Sequence, residues 1–127
     1  MNRFRTPLAE AKGLGSAKSG TGHWLLQRIT ALALIPLGLA AAVLFFWVMR
    51  TGYYPVIAAM HRPWVLLFVV LLVGVVFWHG YLGLRVVIED YVRPGPAFAL
   101  ITIVKFLSVA LAGLGIVAAA AVGFGSF

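Results

Sequence analysis

Residues 64–91 read WVLLFVVLLVGVVFWHGYLGLRVVIEDY, and this stretch decides the fold. Between Trp64 and Leu84 there is no formally charged side chain, and His79 is the one imidazole. A helix needs roughly twenty apolar residues to cross a hydrocarbon core of about 30 Å. A histidine inside such a run is costly to bury and points by default to function. The run closes on Asp90-Tyr91, with Asp90 eleven residues beyond His79. At about 100° per residue that spacing is about three turns, so His79 and Asp90 share one helix face, separated by about 16 Å.

The remainder of the chain has the same character. Of its 127 residues 63% are hydrophobic and 10% charged, and the mean hydropathy is +1.05. A water-soluble domain of this length leaves too much of its surface exposed to hide that much apolar area, so lipid is the solvent. Two further spans are expected beside the one at about 64–88. One runs from about 25 to 49, uncharged from Ala31 onward and with Pro36 as a possible kink point; the other runs from about 97 to 122, with Lys105 near enough to its start to snorkel. With no cysteine, the chain by itself holds no disulfide, thiolate metal site or iron–sulfur cluster. The net charge of +7 does not indicate nucleic acid, because the basic residues flank the spans.

Residues 50–63 contain Gly52, Pro55 and Pro63 and read as a loop, while Pro94-Gly95-Pro96 reads as a firm helix stop. Connections this short make neighbouring helices antiparallel. The expected organisation is a cytoplasmic segment 1–24, one three-helix transmembrane domain 25–122 and a tail 123–127. Arg3, Arg5, Lys12, Lys18, Arg28, Arg85, Arg93 and Lys105 fall on one side, against Arg50 and Arg62 on the other. That bias puts the N-terminus in the cytoplasm, or the matrix equivalent. The basic start lacks the short apolar core and small-residue cleavage site of a signal peptide, and its glycines suit a tail better than a mitochondrial presequence. Small residues at Ala112, Gly115, Ala119 and Gly123, and at Gly38 and Ala42, would let helices approach closely.

His79 reads in two ways, as a haem ligand or as a hydrogen-bonding partner of a neighbouring helix. Gly83, one turn on, leaves room for a flat macrocycle beside the backbone. His61 lies on the far side and His23 near the surface, so a second axial ligand would come from another subunit. Tyr91 could donate to a quinone carbonyl with Asp90 orienting it or relaying protons; equally, the pair suits an aromatic belt and a helix end. Arg28 would pair with haem propionates or with Asp90, or snorkel to the surface. Arg85 lies about 120° from His79 around the helix and is placed to pair with Glu89 at i+4. Trp24, Trp47, Trp64 and Trp78 need only an interface role.

His79-Gly80-Tyr81-Leu82-Gly83-Leu84-Arg85, ending in Glu89-Asp90-Tyr91-Val92-Arg93-Pro94, resembles the second helix of the D-type hydrophobic membrane anchor of succinate dehydrogenase, complex II. Gly22-His23-Trp24 followed by Gln27-Arg28-Ile29-Thr30-Ala31 resembles the start of that family's first helix. The resemblance covers essentially the whole chain and implies an all-α membrane protein of three helices, half of a two-subunit haem-binding bundle. It implies that His79 is an axial ligand to the iron of haem b, shared with a C-type cytochrome b anchor. Tyr91 and Asp90 would contact ubiquinone, and Arg28 and His23 would lie near the haem propionates or the quinone pocket. The chain would be a non-catalytic subunit, with succinate oxidised in a flavoprotein and electrons passed through an iron–sulfur subunit on the cytoplasmic side. The implied location is the bacterial inner membrane, ahead of the mitochondrial one, with service in the respiratory chain and the tricarboxylic acid cycle. Two rivals stand beside this reading: an anchor of the same class without haem, and a three-span membrane adaptor or transporter subunit with no redox role.

Overall fold

The computed structural model describes residues 20–125 together with Leu8 and Ala11. Arg3, Arg5, Lys12 and Lys18, on which the orientation argument partly rests, lie outside the described residues, as do residues 126–127 of the tail. The chain folds into α1 (Gly20–Thr51), α2 (Tyr53–Met60), α3 (Pro63–Tyr91) and α4 (Pro94–Gly123), with no strand among the described residues. Helices α1, α3 and α4 are each long and apolar enough to cross a membrane. Their 29 to 32 residues correspond to about 45 Å at roughly 1.5 Å per residue, more than the hydrocarbon core requires. Pro36 lies inside α1, which continues through it.

Two connections differ from expectation. Residues 50–63 are not a plain loop, because α2 occupies Tyr53–Met60. Gly52, at φ +79°, supplies the left-handed backbone that separates α1 from α2. Pro55 falls in the first turn of α2, where a missing N–H costs no helical hydrogen bond. The same rule corrects the reading of Pro94-Gly95-Pro96. These residues form the first turn of α4 and leave only Val92 and Arg93 between it and α3. Proline starts the helix here because Arg93 is already extended, at φ −58° and ψ 149°.

Helix α3 packs against α4 and separately against α1, while among the described residues α1 and α4 do not touch. The result is an open layer with α3 in the middle and α2 laid across one end. His23 of α1 meets Arg85 of α3, and Gly123 of α4 meets Leu66 of α3, so neighbouring long helices run antiparallel. Among the described residues only Tyr81, Leu82, Ala97 and Ala119 are deeply buried, and large apolar side chains cover the outside. That pattern suits a layer whose faces meet lipid and other membrane helices.

Part of the small-residue stripe on α4 packs within the chain. A Cβ at Gly115 would stand 3.0 Å from Val73 Cγ1, and one at Gly123 would stand 2.8 Å from Leu66 Cδ2 and 3.2 Å from the Met60 carbonyl. His61 Nδ1 also lies 3.0 Å from the Gly123 carbonyl, tying α2 to the end of α4. Gly38 has no neighbour within 4 Å of such a Cβ, so that face of α1 is left uncovered by the described residues. Gly123→Val is therefore expected to destabilise the protein by about 1–3 kcal/mol through overpacking. Gly113→Ala, where nothing lies within 4 Å, is expected to be neutral or slightly stabilising. Thermal denaturation of the two variants in detergent, compared with the parent protein, checks the contrast.

Candidate functional site

His79 sits half-buried on α3 and turns toward α1. Its Nδ1 lies 2.9 Å from the hydroxyl of Thr30, and among the described residues this is the ring's hydrogen-bond partner. Thr30 itself is held by its own helix, its Oγ1 lying 2.8 Å from the Leu26 carbonyl and 3.0 Å from that of Gln27. The second imidazole nitrogen, Nε2, has no hydrogen-bond partner among the described residues. Gly83, 40° round the helix from His79 by the ideal periodicity of about 100° per residue, has no atom within 4 Å of a Cβ built there. One held ring nitrogen, one available nitrogen and open space along the same face form a donor set that fits a haem iron.

Toward the open end of the α1–α3 seam, His23, Arg85 and Glu89 form a cluster. The Arg85 guanidinium lies 2.8 Å from His23 Nε2 and donates through Nε to Glu89 Oε1 at 2.7 Å. They border a cavity of about 320 Å³ with Gln27 and Leu82. Arg85 and Glu89 also border a larger cavity of about 610 Å³ between α3 and α4, which Tyr81 and Lys105 help to line. The i+4 pairing of Arg85 with Glu89 is present as expected, and the contact with His23 is additional. Arg28 is not in this cluster; its guanidinium stacks over Trp24, 5.3 Å from the ring centre, an arrangement that suits a residue at the membrane boundary.

Asp90 and Tyr91 close α3 and are exposed, Tyr91 to 86%. Neither lines the two cavities, and among the described residues neither side chain has a hydrogen-bond partner. The chain thus brings His79 to Thr30 and His23 to Arg85, but leaves the acid–phenol pair exposed and, among the described residues, without a hydrogen-bond partner. His61 sits at the opposite end, against Gly123. Reading of the spans did not single out Thr30. Its available signal was a hydroxyl two residues after Arg28, where the uncharged part of the first span begins.

A three-helix layer with a histidine at depth and polar groups at one exit defines a class of membrane subunit, and comparison with known proteins supplies the family. The chain belongs to the family of succinate dehydrogenase/fumarate reductase transmembrane subunits, whose family model matches residues 2–123. It is similar to the succinate dehydrogenase hydrophobic membrane anchor subunit of Rickettsia bellii (strain RML369-C), with 35% identity over 114 residues, covering 82% of this chain and 91% of the relative. The subunit of the same name from Paracoccus denitrificans is 30% identical over 124 residues, covering 98% of this chain and 96% of the relative. A third, from Rickettsia conorii (strain ATCC VR-613 / Malish 7), is 34% identical over 93 residues, covering 70% of this chain and 71% of the relative. No solved structure matches the chain.

Proposed function

We propose that this chain is the D-type membrane anchor of a succinate:ubiquinone oxidoreductase, holding the flavoprotein and iron–sulfur subunits at the membrane and sharing a haem b with a C-type anchor. The observation that carries the reading is His79, with Nδ1 engaged by Thr30, on the same helix face as Asp90, which with Tyr91 makes an acid–phenol pair at the helix exit. His79 would hold the haem iron through Nε2, with a residue of the companion anchor as its second protein ligand. A bound haem would supply a one-electron store for quinone reduction. Arg85, donating to His23 Nε2 and paired with Glu89, puts guanidinium N–H donors at the end of the α1–α3 seam, where propionates would be received, with Arg28 at its rim.

Quinone would meet Tyr91 and Asp90. The phenol donates a hydrogen bond to a quinone carbonyl oxygen, which gains negative charge on reduction, and the carboxylate passes protons from water to that oxygen. Exposure of both groups supports this, since the pocket is completed by other subunits and a lipid-soluble substrate must enter from the side. The open layer, with α1 and α4 apart, supports a companion set of helices over its face. The basic bias and the bacterial relatives support a bacterial cytoplasmic membrane with the N-terminus in the cytoplasm.

Purification of the affinity-tagged chain from its native membrane tests the anchor role. The expected result is a complex containing a flavoprotein and an iron–sulfur protein, active from succinate to a soluble quinone. Recovery of the chain without a flavoprotein would favour the adaptor or transporter rival and defeat this reading.

A further inference from the structure

We infer that Thr30 is a positioning residue for His79: it fixes the imidazole in the tautomer that carries its proton on Nδ1 and thereby presents Nε2 as the ligand. The inference rests on the haem reading and extends it to a residue of a different helix.

The argument is one of proton count. A threonine hydroxyl has one proton to give and two lone pairs to accept with. Thr30 Oγ1 has three polar neighbours: the Leu26 carbonyl at 2.8 Å, the Gln27 carbonyl at 3.0 Å and His79 Nδ1 at 2.9 Å. Carbonyl oxygens only accept, so the single hydroxyl proton is directed at them, as is usual when threonine bonds back to the preceding turn. The lone pairs left on Oγ1 then face Nδ1, and that contact is a hydrogen bond only if Nδ1 donates. If the hydroxyl proton went to His79 instead, two oxygen–oxygen contacts would be left without a proton between them. A neutral imidazole with Nδ1–H has its lone pair on Nε2. Oxygen acceptors at the second nitrogen hold ligating histidines in orientation and raise their basicity.

Rigidity strengthens the point. Threonine is branched at Cβ and stiff at χ1 within a helix, and here two carbonyl contacts hold the hydroxyl as well. The ring of His79 is therefore oriented by α1, although α3 carries it. Thr30 occupies the α1–α3 seam, so a change in how these helices pack would reorient the ligand.

The test uses the assembled complex with Thr30→Val, which keeps the shape and removes the acceptor, Thr30→Ala, which removes both, and Thr30→Ser, which keeps the hydroxyl. Haem retention on dilution in detergent and the EPR g-values of the oxidised haem are measured beside assembly and thermal stability. The expected result is a 10- to 100-fold loss of haem affinity, with shifted g-values, in whichever of the Val and Ala variants assembles. Thr30→Ser should match the parent. Unchanged g-values and retention in the Val or Ala variant, with or without loss of thermal stability, would overturn the inference and leave Thr30 a packing residue. Failure of both to assemble while Thr30→Ser assembles would do the same. A parent complex without haem, or one whose haem is unaffected by His79→Ala, would instead remove the haem reading itself.

Discussion

Tyr91→Phe in the assembled complex is expected to lower succinate-driven quinone reduction by about 10²-fold, the scale of a lost proton-donating group in catalysis. The phenol is almost fully exposed and has no hydrogen-bond partner among the described residues. Its removal therefore breaks no hydrogen bond among the described residues, and stability should change by no more than about 0.5 kcal/mol. Oxidation of succinate with a water-soluble dye, which bypasses the membrane site, should be unaffected. Asp90→Asn keeps the shape but cannot carry a proton, so it should reproduce the loss while leaving assembly intact. Equal quinone and dye activities in both variants, each near the parent's, would show that the end of α3 takes no part in quinone chemistry.

The second large effect concerns His79. Removal of the ring takes away the nitrogen proposed for iron and leaves the Thr30 hydroxyl facing a void between α1 and α3. Loss of the helix–helix hydrogen bond alone is expected to cost about 0.6 kcal/mol in a membrane protein, which a complex of several subunits should survive. The haem should not. With one axial position lost it is expected to dissociate or to become high-spin, whereas His61→Ala, at the opposite end against Gly123, should leave the spectrum unchanged. His23→Ala gives a third pattern: haem retained, with altered potential, because His23 meets Arg85 and does not occupy the depth of His79.

Most of the architecture is legible in the chain itself, because lipid imposes a simple demand on it. Every backbone polar group within hydrocarbon must be satisfied, so a long uncharged run becomes a helix. The expected spans at about 64–88 and 97–122 lie inside Pro63–Tyr91 and Pro94–Gly123. Helix breakers were harder to read. Pro55 and Pro94 look like interruptions until their place in a first turn is known, and that place is set by Gly52 and Arg93 just before them. The register between helices was not readable at all. Spacing along α3 aligns His79 with Asp90, but nothing within one helix says that Thr30 of α1 stands opposite the imidazole. Arg85 shows the same limit. It lies off the His79 face by helical arithmetic, yet its long side chain reaches His23 across the seam. Asp90 and Tyr91 were legible as types and as an exit point, and among the described residues they line neither of the two polar cavities.

The most direct measurement is the reduced-minus-oxidised absorption spectrum of the purified complex, normalised to bound flavin, for the parent and for His79→Ala. The account predicts a b-type haem spectrum in the parent and its loss, or conversion to a high-spin form, in the variant, with flavin and iron–sulfur content preserved. An identical low-spin spectrum in both would contradict it, because iron would then be held without this imidazole.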